Sequence, residues 1–151
     1  MTRKRWKLVA YVLLAANICF IWGNSALPGS ASQEISGDIM NWVGFLLRAF
    51  GEYGEKILRK IAHLAEFASL GLLLSLLFRM EGNKSYTPPL LLGLTIACVD
   101  ETIQIFSPGR ASSLIDVWID MSGVVSGIIL LIIGHAIFRK KVKKHLEDKR
   151  L

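Results

Sequence analysis

Apolar residues fall into four long blocks along the chain, separated by short polar or turn-forming stretches. The first runs from about Trp6 to Ala26, with Pro28-Gly29 beyond it to stop a helix, and the second from Ile57 to Phe78. The third covers Pro89 to Phe106 and the fourth Leu114 to Phe138. Each approaches or exceeds the ~20 residues that an α-helix needs to cross ~30 Å of hydrocarbon at ~1.5 Å per residue. The pattern therefore predicts an all-α integral membrane protein with four transmembrane helices, a single domain spanning residues 1–151, and a basic tail over 139–151.

The stretch between the first two blocks is also patterned. Ile35, Ile39, Trp42, Val43, Leu46 and Phe50 recur at spacings of three and four, which puts them on one stripe of a helix, while Asp38, Asn41 and Arg48 lie elsewhere around it. An amphipathic helix is expected over about 35–50, either lying in the membrane interface or packed as a lid on the bundle. Gly51 and Gly54 mark the turn into the second crossing.

Composition agrees with a membrane protein: 52% of the 151 residues are hydrophobic, and the mean hydropathy is +0.45. The net charge of +6 does not point to nucleic acid, because the basic residues sit in short runs flanking the apolar blocks. With four crossings, both termini and the Arg79 to Lys84 loop share a side and hold thirteen of the eighteen Lys and Arg. The positive-inside rule then places both termini in the cytoplasm and the loops near Ser30 and Arg110 outside. A basic start, an apolar run and the small residues near Ala31 also fit a cleaved signal peptide, and cleavage would leave the other three helices oriented as before. Cys19 and Cys98 lie inside apolar stretches with no partner at metal-ligand spacing and read as packing residues.

The informative residues are the charges inside the blocks. On the second helix Arg59, His63 and Glu66 fall at i, i+4 and i+7, one face, with Lys60 beside them. On the third, Glu101 and Gln104 are i, i+3 while Asp100 and Gln104 are i, i+4, and on the fourth Asp116 and Asp120 are i, i+4. All three stripes lie near the same, extracytoplasmic ends of their helices. A carboxylate well inside a bilayer costs about 2.5–3.5 kcal/mol on insertion scales, so these acids must face one another or water. Ser107-Pro108-Gly109-Arg110 supplies a turn that hangs Arg110 over the same end. Glu66, Asp100, Glu101, Asp116 and Asp120 outnumber Arg59, Lys60 and Arg110, so the excess calls for a bound cation, protons shared between carboxylates, or a protonated His63. A self-neutralising network that staples the helices together is the alternative to a functional site.

The runs Arg59-Lys60-Ile61-Ala62-His63-Leu64-Ala65-Glu66-Phe67, Asp100-Glu101-Thr102-Ile103-Gln104-Ile105-Phe106-Ser107-Pro108-Gly109-Arg110, and Asp116-Val117-Trp118-Ile119-Asp120 followed by Gly123, resemble the signature of the VanZ-like family. That resemblance covers most of the chain. It implies a multi-pass protein of the bacterial plasma membrane, in a family whose name-giving member confers low-level resistance to the glycopeptide antibiotic teicoplanin. No agreed reaction comes with it.

His63 with several carboxylates suits holding a divalent cation and activating water against a phosphate or acyl ester of a lipid-linked substrate. The candidate catalytic residues are His63, Glu66, Glu101, Asp116 and Asp120, and the candidate metal ligands His63, Glu66, Asp116 and Asp120. Arg59, Lys60, Asp100, Gln104 and Arg110 are the candidate binding residues, with Arg110 as an anion clamp. No Ser or Cys nucleophile motif is visible. A pocket that binds a lipid headgroup, a peptidoglycan precursor or the antibiotic without turnover uses the same residues. A transporter is disfavoured, since Leu70 to Leu77 and Val124 to Ile133 offer no polar path across.

Overall fold

The computed structural model describes residues 3–31 and 53–149, and the amphipathic helix expected over 35–50 lies outside the described residues. Those residues form four helices and no strand: α1 (Arg3–Ala26), α2 (Gly54–Met80), α3 (Thr87–Ile105) and α4 (Leu114–Asp148). All four are long and apolar enough to cross a membrane. Their ends follow from local chemistry. Pro88 and Pro89 fall in the first turn of α3, where no intrahelical bond needs their missing N–H groups. Ser113 caps α4, its side chain accepting a hydrogen bond from the Ile115 N–H.

The fourth helix does not stop where its apolar block ends at Phe138. It continues through the basic stretch to Asp148, because residues 139–148 contain no Gly or Pro and are rich in Lys, Arg and Glu, which are good helix formers. Lys143 and Glu147 add an i, i+4 pair at 3.8 Å. At ~1.5 Å per residue the helix is roughly 50 Å long, so it projects well beyond a ~30 Å hydrocarbon layer.

Lipid tails are as apolar as leucine, so helices in a bilayer associate through close packing and hydrogen bonds rather than through removal of apolar surface from water. The tightest crossing here is α2 against α4. A Cβ at Gly123 would stand 2.6 Å from the Leu64 carbonyl oxygen, and one at Gly127 would clash with the Ala68 carbonyl, so this Gly-x-x-x-Gly pair lets the two backbones touch. Phe67, Leu70 and Leu74 of α2, Ile96 and Ala97 of α3, Val124 and Ile128 of α4 and Ile21 of α1 fill the space around the crossing. Large apolar side chains such as Leu13, Phe20, Leu91, Trp118 and Leu130 cover the outer faces, the surface a hydrocarbon solvent would wet.

Polar links close the two ends of the bundle. At one end Lys7 meets Glu81 at 2.7 Å and Arg3 donates to the Met80 carbonyl at 3.0 Å, tying the start of α1 to the end of α2. At the other end the Gly29 N–H donates to the Pro108 carbonyl at 2.9 Å, and the Ser107 hydroxyl donates to the Ser25 carbonyl at 2.8 Å. Gly109 permits the α3–α4 turn there, its φ of +76° lying in the region that disfavours side chains.

Candidate functional site

The stripes on α2, α3 and α4 converge at the end of the bundle closed by the Ser107–Arg110 turn. A cavity of about 200 Å³ opens there, lined by Arg59, Lys60 and His63 of α2, Glu101 and Gln104 of α3, Gly109, Arg110 and Ala111 of the turn, and Asp116, Ile119 and Asp120 of α4. The depth of each residue along its helix follows from the sequence. Their shared volume follows from the α2–α4 crossing, since Gly123 lies one turn beyond Asp120 and packs on Leu64, the neighbour of His63.

His63 Nδ1 stands 3.7 Å from Asp120 Oδ1 and 4.0 Å from Asp100 Oδ2. These three residues offer ligand atoms that all lie within 4.8 Å of one another, one from each of three helices. Both carboxylates are buried. Gln104 Nε2 donates to Asp100 Oδ2 at 3.0 Å, while Asp100 Oδ1 and Asp120 Oδ2 have no hydrogen-bond partner among the described residues.

The other acids take different partners. Asp116 Oδ1 pairs with Lys60 Nζ at 2.9 Å, on the exposed rim. Glu66 turns towards α1, accepting a hydrogen bond from Asn24 Nδ2 at 2.8 Å. Glu101 Oε2 accepts from the Ser113 N–H at 2.8 Å, where a negative charge complements the start of α4. Its Oε1 is buried without a partner. The metal set expected from the sequence, His63 with Glu66, Asp116 and Asp120, is therefore not the set the fold gathers. Asp100 lies beside His63 and Asp120 while Glu66 and Asp116 take other partners, because i, i+3 and i, i+4 spacing aligns residues on one helix but says nothing of how that helix is turned towards its neighbours.

Arg59 and Arg110 line the cavity with free donors. Arg59 Nε, Arg110 Nε and Arg110 Nη1 are buried and have no hydrogen-bond partner among the described residues. Burial, and after it the charge of nearby Arg59, pull the Arg110 guanidinium below its ordinary value, and it stays a cation throughout the physiological range.

Residues 8–138 match the VanZ/LLP1 family. The chain belongs to that family. No curated protein and no solved structure matches it. Family membership and four apolar helices together make this VanZ/LLP1 chain a multi-pass membrane protein.

Sequence reasoning passed over the contribution of α1. Asn24 and Ser25 reach Glu66 and Gln104 respectively, and Asn17 donates to Ser69 Oγ at 2.7 Å. The signal for them was present, since Asn17, Asn24 and Ser25 fall at i, i+7 and i+8 of an otherwise apolar helix and so share one face.

Proposed function

We propose that the cavity receives the anionic head of a lipid-linked cell-envelope ligand, a phosphate ester of a long-chain amphiphile, at the extracytoplasmic surface of the bacterial plasma membrane. One observation carries this: two guanidinium groups with unpartnered buried donors, Arg59 and Arg110, line the same cavity as a half-buried His63 and the carboxylates of Glu101, Asp116 and Asp120. A buried donor without an acceptor costs roughly 1–3 kcal/mol, more when it is charged, and an anion with several oxygens removes that cost at several N–H groups together. Phe106, Leu114 and Trp118, at the same end of the bundle, are exposed and give an acyl or polyprenyl chain an apolar outer surface while its head enters. The basic residues crowded at the opposite end support the extracytoplasmic assignment through the positive-inside rule. His63, between two carboxylates, is suited to moving a proton at a phosphate or acyl ester held there.

The competing reading, a network that only holds the helices together, has support from the Lys60–Asp116, Asn24–Glu66 and Glu101–Ser113 links, each of which joins two elements. It leaves Arg110 unexplained, because a staple would use those donors.

Binding of a polyprenyl phosphate to the purified protein in nanodiscs, measured beside the corresponding polyprenol and inorganic phosphate, tests the proposal. The phosphate ester should bind, the alcohol should not, and Arg110→Gln and Arg59→Gln should each weaken binding at least about tenfold without lowering the melting temperature. Equal binding of alcohol and phosphate ester would refute it. In a sensitive host, His63→Gln and Asp120→Asn should abolish any teicoplanin tolerance the protein confers while the variants stay inserted and thermally stable.

A further inference from the structure

We propose that His63, Asp100 and Asp120 form a binding site for a divalent transition-metal ion, with Glu101 as a further buried carboxylate of the adjoining cavity. The proposal rests on reading the cavity as a functional site, and it concerns His63 and the buried carboxylates rather than the arginines that receive the anion.

Geometry is the first support. Around an ion with ligand bonds of ~2.0–2.2 Å, tetrahedrally placed donors stand roughly 3.4 Å apart. The imidazole-to-carboxylate separations of 3.7 and 4.0 Å need only small side-chain rotations to reach that value. The three donors come from α2, α3 and α4; the contact of Gly123 with Leu64 holds α4 on α2, and Gly93 of α3 packs on the Val124 side chain of α4. A tripod built on three packed helices holds its donors more firmly than one built on loops.

Unsatisfied buried oxygens are the second support. Asp100 is 0% exposed and Asp120 1% exposed, yet each keeps one carboxylate oxygen without a hydrogen-bond partner among the described residues. Among the described residues the ion-pair neighbour of both is His63, and no Lys or Arg lies within ion-pair distance of either. Independently of the three, Glu101 is 4% exposed and lines the same cavity, and its Oε1 also lacks a partner among the described residues. Buried carboxylate oxygens without donors are uncommon, and metal coordination is one of the few arrangements that satisfies them.

Donor chemistry sets the ion class. One imidazole with two carboxylates suits Zn²⁺ or Mn²⁺ better than the all-oxygen preference of Ca²⁺ and Mg²⁺. Three protein ligands, of which His63 and Asp120 line the cavity, leave coordination positions for water or for an oxygen of a bound anion.

The test uses the full chain, purified without a histidine tag, stripped with chelator, and titrated with ZnCl₂ and with MnCl₂ by calorimetry. One saturable site per chain should appear, and His63→Gln, Asp100→Asn and Asp120→Asn should each weaken it at least about tenfold. Glu66→Gln, whose carboxylate accepts from Asn24 of α1 outside the cavity lining, should leave it within about twofold. Because a variant of a buried residue can fail to fold, pulsed electron paramagnetic resonance of the Mn²⁺-loaded wild type provides a second readout, in which coupling to an imidazole nitrogen is expected. Absence of a saturable site for both ions, or unchanged affinity in Asp100→Asn and Asp120→Asn, would overturn the metal site even if polyprenyl phosphate still binds. A saturable site that needs all three residues would sustain it even if polyprenyl phosphate does not bind.

Discussion

His63 Nδ1 lies 3.7 Å from Asp120 Oδ1 because, one turn further along α4, the Gly123 backbone rests on the Leu64 carbonyl. A buried polar contact is thus held in register by a neighbouring glycine contact. Gly127→Ala, one more turn away, should force α2 and α4 apart and destabilise the protein by about 1–3 kcal/mol. The variant should unfold at lower denaturant than wild type in mixed micelles, with the protein still inserted. Gly134→Ala, on the same helix but with open space around it, should change stability little.

Asn24 is the partner of a Glu66 carboxylate whose second oxygen is already buried without a hydrogen bond. Asn24→Ala should therefore cost about 1–3 kcal/mol, the penalty of leaving a buried polar atom unmet. Asn24→Gln, which can restore the amide donor, should recover part of the loss in the same unfolding assay.

The Lys60–Asp116 pair sits on the rim with both side chains substantially exposed to solvent. Such pairs contribute about 0–1 kcal/mol. Lys60→Ala should leave the melting temperature close to that of wild type. A marked loss of anionic-ligand binding in that stable variant would assign Lys60 to the ligand rather than to the scaffold.

At the opposite end, the hydrogen bond from Lys7 holds the Glu81 carboxyl below the ordinary glutamate value of 4.5. The ionised form is favoured in the folded state, so this contact stabilises the protein above that ordinary value and is lost as the pH falls through the lower, folded one. Carbon NMR of the Glu81 carboxyl should show a depressed midpoint in wild type, moving up in Lys7→Gln. An unchanged midpoint in that variant would show that Lys7 does not set it.

Orientation is open to a direct measurement. Reporter fusions after Lys84 and after Leu151 should read cytoplasmic, and fusions near Ser30 or Arg110 extracytoplasmic. An outside reading at Lys84 would invert the placement of the cavity.

The sequence by itself determined the four crossings, because an apolar run long enough for hydrocarbon has few other uses and backbone groups in lipid must be satisfied within a helix. It also determined that the charged stripes lie at one end, since rise per residue converts position into depth. It did not determine which acid meets His63. Adjacent Asp100 and Glu101 differ by about 100° around α3, and only the packed rotation of that helix turns Asp100 to His63 and sends Glu101 to the Ser113 N–H. Likewise, Asp116 and Asp120 share a face of α4, yet Asp120 is buried beside His63 while Asp116 reaches Lys60 at the rim. Periodicity describes one helix at a time. The close backbone approach at Gly123 and Gly127 is a relation between two helices, and it decides which side chains share a volume.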